Sequence, residues 1–189
     1  MDGGSHKHHL HAEFFPVGPS LGQKRYFAYN AKHWEEHSLS ETKAVDGWSG
    51  VIKGRPKVGD SAERTRRTSM KDIIRFTEMT GDRNPLHYDQ QLAEDSVFGK
   101  LIVQGGVTSG ILNALVAEDL PGPGTVFLSV EWKFVKAVGV DEEITGRVEI
   151  KEVRPDKPIC KIETTVRNQA GDICLSGTAT VYTVPLRRS

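Results

Sequence analysis

Between Leu101 and Ala117 the chain carries no charged side chain, and this run limits the fold more than any other stretch. From Gly105 to Ala117 a helical projection has small or apolar residues on every side. A helix without a polar face has to be buried. The run is short for a membrane span, and Gln104, Thr108, Ser109 and Asn113 interrupt it. Another part of the chain must therefore wrap it. Its small residues, Gly105, Gly106, Ser109, Gly110 and Ala114, predict close approach by a sheet.

The strands for such a sheet are legible from alternation. Thr125 to Val135 reads as a strand with Val126, Leu128, Val130, Trp132 and Phe134 on one face. Glu143 to Val153 places Ile144, Val148 and Ile150 on one face and charges opposite. Ile159 to Arg167 and Ile173 to Val184 are joined by a turn over Asn168 to Asp172. Upstream, Lys57 to Asp60 turns into a strand from Ser61 to Thr68. The order is strand, helices, buried helix, then consecutive antiparallel strands. That order predicts an α+β domain, one antiparallel sheet folded about one long helix.

The chemistry concentrates upstream of the buried run. Ser69 to Met79 has Ile73, Ile74, Phe76 and Met79 at helical spacing. Gly81 suits a helix C-cap, and Pro85 drives Asn84 into an extended conformation. The bend Thr80-Gly81-Asp82-Arg83-Asn84-Pro85-Leu86-His87-Tyr88-Asp89 thus holds an acid, Asp82, and an imidazole, His87. At neutral pH an aspartate is ordinarily ionised and a histidine largely neutral, so the two can share a water and move protons. Turn chemistry alone also explains Gly-Asp-x-Asn-Pro. A short second helix is expected over Gln90 to Ser96. Gly105 and Gly106 expose amides at the start of the buried helix, where an oxyanion can be held.

Composition excludes several classes. Lysine plus arginine and aspartate plus glutamate both number 25, so net charge gives no support to a nucleic-acid or membrane partner. Cys160 and Cys174 sit too far apart along the predicted hairpin for a bridge and read as packing residues, in a reducing compartment or simply without a disulfide. Met1 to Leu21 has no sustained period; His6, His8, His9 and His11 lack partners at zinc spacing and read as a tail rather than a metal site. Gln23 to Val51 gathers Tyr26, Phe27, Tyr29, Trp34 and Trp48 and reads as an arm packed over the main domain or a neighbouring subunit, or as a gate over a substrate tunnel. The expected organisation is a tail and arm over 1–56 and a domain over 57–189. No secretory leader or spanning segment is read, so a soluble, cytoplasmic protein is expected.

Together the residues resemble a known family. Phe76-x-x-x-Thr80-Gly81-Asp82-x-Asn84-Pro85-Leu86-His87-x-Asp89, followed by Ile102-Val103-x-Gly105 at the head of a buried helix, is similar to the MaoC-like (R)-specific enoyl-CoA hydratases. The later Phe134-x-x-x-Val138-x-x-Asp141 region agrees, and the likeness runs from about Lys57 to Val184. The resemblance implies a hot-dog fold and reversible hydration of trans-2-enoyl thioesters, on CoA or acyl carrier protein, to (R)-3-hydroxyacyl thioesters. It implies Asp82 and His87 as the catalytic pair and the Gly105 amide as the oxyanion donor, with Asn84, Gln104 and Gly106 as supporting candidates. It implies no metal or redox cofactor, and a homodimer or larger assembly. Gln104 stands where many members have histidine, Asn113 near a frequent serine, and Ala137 where proline is common. A hot-dog thioesterase and a non-catalytic acyl-binding subunit are the alternatives.

Overall fold

The computed structural model describes residues 46–187. Strands Ser61–Arg67 (β1), Thr125–Phe134 (β2), Glu143–Val153 (β3), Ile159–Asn168 (β4) and Ile173–Thr183 (β5) form one sheet. Every pairing is antiparallel, in the order β1-β3-β4-β5-β2, so β1 and β2 are its edges. Helices Met70–Thr80 (α1), Gln90–Asp95 (α2) and Gly105–Ala114 (α3) lie between β1 and β2 in sequence. One wide turn, Leu115–Asp119, continues α3. This is the expected α+β hot-dog arrangement.

The sheet packs its alternating apolar face on α3. Ile144, Val148, Ile150, Ile162, Val166, Leu175 and Val181 are fully buried, and they share one cluster with Val107, Ile111, Leu112 and Leu115. Each such side chain stabilises the fold by about 1.5–3 kcal/mol relative to exposure. The close approach comes from the sheet, at Gly146. A Cβ there would lie 2.8 Å from Cγ2 of Ile111 and 3.1 Å from Cδ1 of Leu115. Of the glycines heading α3, Gly105 meets a side chain of the sheet, as expected, and Gly106 meets one of α1. A Cβ on Gly106 would lie 2.2 Å from the Phe76 ring, and one on Gly105 would lie 3.1 Å from the Phe134 ring. Nor is α3 buried all round: Asn113 is exposed, and Gly106, Gly110 and Ala114 are half-buried. The small side chains leave an open groove of about 520 Å³ between α1 and α3, lined by Arg66, Phe76, Met79, Gly106, Gly110 and Asn113.

Strand β2 departs from the expected single apolar face. The register with β5 shifts between Phe127 and Ser129, so Leu128 is an extra residue in a bulge. Beyond it, Val130, Trp132 and Phe134 pair with Ala179, Gly177 and Leu175, on the sheet face shared with Phe127. Val126, paired with Tyr182, falls on the other face, and Leu128 has no cross-strand partner. Trp132 is held by an edge-to-face contact with Phe127, ring centroids 5.8 Å apart, and donates to the Thr164 hydroxyl at 3.0 Å. Val126, Leu128, Val130, Phe134 and Val135 remain exposed along this edge.

Trp48 and Val51 belong to the same core, and the Trp48 indole donates to the Arg154 carbonyl at 2.7 Å. The other arm aromatics, Tyr26, Phe27, Tyr29 and Trp34, and the histidines His6, His8, His9 and His11 lie outside the described residues. Cys160 and Cys174 are free and buried, and burial pushes the Cys160 thiol up to about 12. Among the described residues no helix is long and apolar enough to cross a membrane.

Candidate active site

Local sequence chemistry sets the bend residue by residue. Ser69 and Asp72 form a capping box that starts α1, and Gly81, at φ 80°, ends it in the left-handed region. The Gly81 N–H donates to the Thr77 carbonyl at 2.7 Å. The Asp82 N–H donates to the Thr80 hydroxyl at 3.2 Å, and Asp82 Oδ1 accepts from the Asn84 N–H at 3.1 Å. Asn84 then caps the tight helical turn Pro85–His87, its Oδ1 accepting from the Leu86 N–H at 3.1 Å. The bend therefore contains one helical turn of its own. Proline at its first position supplies the fixed φ and has no amide proton to waste there. Asn84 is thus a builder of the bend. Asp89 caps α2 through the Leu92 N–H at 3.0 Å.

His87 is buried, and its ring is fixed by a backbone carbonyl. Nδ1 lies 2.8 Å from the Ile102 oxygen. A carbonyl can only accept, so Nδ1 carries a proton, and in the neutral tautomer that this fixes the lone pair is at Nε2. That atom is 3.6 Å from Asp82 Oδ2. The separation is long for a direct hydrogen bond and short enough for one water to hydrogen-bond both atoms. The His87 side chain is 8% exposed and that of Asp82 39%, so the pair sits at the wall of the domain, open on the carboxylate side.

The same Ile102 leads into α3. The Leu86 carbonyl accepts the Ile102 N–H at 3.2 Å, which ties the bend to the chain three residues before Gly105. Gly105 and Gly106 occupy the first helical positions, whose amides have no intrahelical acceptor. Neither donates to another group among the described residues. A cavity of about 310 Å³ lies beside this helix start, lined by Ile102, Gly105, Thr108, Phe134, Ala137 and Val138, among others. It is mostly apolar; Asp82 and His87 do not line it, nor do they line the groove beside Gly106. Of the supporting candidates, Gly106 accommodates Phe76. Gln104 is 2% exposed and points its amide at the Ile73 carbonyl and the Thr77 hydroxyl.

Comparison with known proteins identifies the family of the domain that carries these residues. The profile of the MaoC like domain matches residues 53–171. The chain belongs to the MaoC-like family. It is 32% identical over 125 residues to an (R)-specific enoyl-CoA hydratase of Aeromonas caviae, covering 66% of this chain and 93% of the relative. It is 32% identical over 127 residues to a mitochondrial 3-hydroxyacyl-[acyl-carrier-protein] dehydratase of Arabidopsis thaliana, covering 66% and 75%. The solved (R)-hydratase of A. caviae superposes with a TM-score of 0.66 at 31% identity, covering 68% of this chain and 98% of that one. An unliganded R-hydratase of Pseudomonas aeruginosa gives 0.63 at 32% identity, covering 68% and 82%.

As a MaoC-like domain, the chain has three residues that depart from the expected pattern, and they fall in different places. Gln104 is buried under the head of α3, Asn113 lines the open groove, and Ala137 lines the cavity beside Gly105. Three contributors to the site escaped sequence reasoning. The Ile102 carbonyl sets the His87 tautomer, and the Thr77 and Tyr88 hydroxyls brace the bend. A backbone acceptor leaves no residue signature. A polar residue on the apolar side of a helix, as Thr77 is, was the one available signal.

Proposed function

We propose that this protein adds water across the double bond of a trans-2-enoyl thioester, on CoA or acyl carrier protein, and catalyses the reverse dehydration. The observation that carries the reading is the orientation of His87. Its Nδ1–H is committed to the Ile102 carbonyl, and the free Nε2 faces Asp82 Oδ2 across 3.6 Å. The names of the similar hydratases and dehydratases support the same chemistry.

The reaction follows from these groups. A water held between Oδ2 and Nε2 gives a proton to Nε2 while its oxygen attacks C3 of the enoyl chain. The C2–C3 π electrons move onto the thioester oxygen, and the Gly105 N–H stabilises that enolate, an interaction of about 3–4 kcal/mol for one well-placed donor. The ionised Asp82 balances the imidazolium. Collapse of the enolate returns the proton to C2, so one water is consumed and the dyad is restored. With hydroxyl and proton delivered from one water-bearing dyad, both reach the same face of the substrate, consistent with one enantiomer of product.

The assembly is proposed as a homodimer joined along β2. Among the described residues that edge has no strand paired to it, and it carries the exposed Val126, Leu128, Val130 and Phe134, a template for another strand. Phe134 also touches the helix start at Gly105, so the edge adjoins the site. The test is a spectrophotometric assay on crotonyl-CoA and longer enoyl-CoAs with chiral analysis of product. The reading expects loss of enoyl absorbance without free thiol, and (R)-3-hydroxyacyl product. Release of free CoA, or no turnover on the panel, would contradict it.

A further inference from the structure

Behind the bend sits a hydrogen-bond network whose direction is set by two carbonyls. The Thr77 hydroxyl lies 2.6 Å from the Asp82 carbonyl, which can only accept, so Thr77 donates its one proton there. The Tyr88 hydroxyl also contacts the Thr77 oxygen and must therefore donate to it. The Gln104 amide nitrogen lies 3.4 Å from the Ile73 carbonyl and 3.2 Å from the Thr77 hydroxyl. Because the Ile73 carbonyl accepts only, the NH2 end of Gln104 faces it and donates to Thr77 as well. Thr77 is 5% exposed, and one donor and two acceptor sites on its oxygen are all in use.

These contacts join three segments around one oxygen. Asp82 is the acid end of the bend, Tyr88 follows His87, and Gln104 precedes Gly105. The Thr77 main-chain carbonyl holds Gly81 as well, at 2.7 Å. Among the described residues, Gln104 Oε1 is buried with no hydrogen-bond partner. The donor end of the same amide is what meets Thr77.

We infer that Thr77 is a positioning residue for the hydration reaction: its hydroxyl, braced by Gln104 and Tyr88, fixes the distance between the Asp82–His87 pair and the head of α3. This rests on the hydratase reading above. Misplacement of reacting groups by about 1 Å costs on the order of 100-fold in rate, so loss of this hub lowers kcat more than KM.

The test compares Thr77→Val, which keeps shape and removes the hydroxyl, with Thr77→Ser, which restores it. On crotonyl-CoA, Thr77→Val is expected to lose about 30-fold in kcat with KM within about twofold, and Thr77→Ser to recover most of the loss. Equal loss in both variants, or wild-type kcat in Thr77→Val, overturns the inference while leaving the hydratase reading intact. Should Thr77→Val fail to fold by circular dichroism, Tyr88→Phe and Gln104→Leu each delete one brace. Each is then expected to lower kcat several-fold at steady KM, and unchanged kcat in both overturns the hub. Amide exchange gives a readout independent of turnover. The Asn84, Leu86 and His87 amides are expected to exchange roughly 10-fold faster in Thr77→Val than in Thr77→Ser. Equal exchange refutes positioning even if the wild-type protein proves inactive on enoyl-CoA, a result that would separately refute the hydratase reading.

Discussion

Asp82→Asn isolates the electrostatic half of the proposed dyad. Asparagine keeps Oδ1, so the acceptor for the Asn84 N–H at 3.1 Å survives and the bend holds its shape. What disappears is the negative charge 3.6 Å from Nε2 when His87 becomes an imidazolium. At that separation, effective dielectrics from ~80 down to ~20 give an attraction of about 1 to 5 kcal/mol. The Asp82 side chain is 39% exposed, so solvent screening favours the lower half of the range, at most about 3 kcal/mol. Each ~1.4 kcal/mol is a factor of ten, so kcat on crotonyl-CoA is expected to fall about 10- to 100-fold. KM should change little, and the circular dichroism spectrum should not change. Turnover within about threefold of wild type would refute the idea that this carboxylate stabilises charge on His87.

Three further outcomes are expected. Leu128→Lys and Phe134→Glu, placed on the exposed β2 edge, should convert a dimer to monomer in light scattering; a monomeric wild type would remove the proposed interface. Gly177→Ala puts a Cβ 1.9 Å from the Glu131 carbonyl oxygen, and urea unfolding should show a loss of about 3 kcal/mol as β2 is forced from β5. The Arg64 guanidinium, hydrogen-bonded to Asp119, holds that carboxyl below its ordinary value of 3.8. Its folded pKa is depressed, so its stabilisation is present above the unfolded value and lost as pH falls through the folded one. The Tm gap between wild type and Asp119→Asn should therefore be largest near neutral pH and close in strong acid; a gap that widens in acid would contradict the assignment.

Much of the fold was legible because alternation and capping are local. Glu143–Val153 was readable to the residue, since each buried Ile or Val faces away from a charge. The helix Met70–Thr80 lies one residue along from the run read at helical spacing, Ser69 to Met79, and Gly81 ends it as read. The face of β2 was not, because the bulge at Leu128 is a property of its register with β5 rather than of its own composition. The charge-free run around α3 signalled burial correctly on the side of Val107, Ile111 and Leu112. On the other side the same small residues leave space, and composition does not distinguish a covered glycine from an open one. At the site, turn chemistry brought out Asp82 and His87 because Gly, Asn and Pro mark the bend. The tautomer was hidden, since it depends on a carbonyl 15 residues away.

The most direct measurement is a crystal structure with a bound (R)-3-hydroxyacyl-CoA. The account predicts the 3-hydroxyl oxygen within hydrogen-bond distance of both Asp82 Oδ2 and His87 Nε2, and the thioester oxygen on the Gly105 N–H. A hydroxyl seated away from those two atoms, or a thioester oxygen turned from the start of α3, would contradict it.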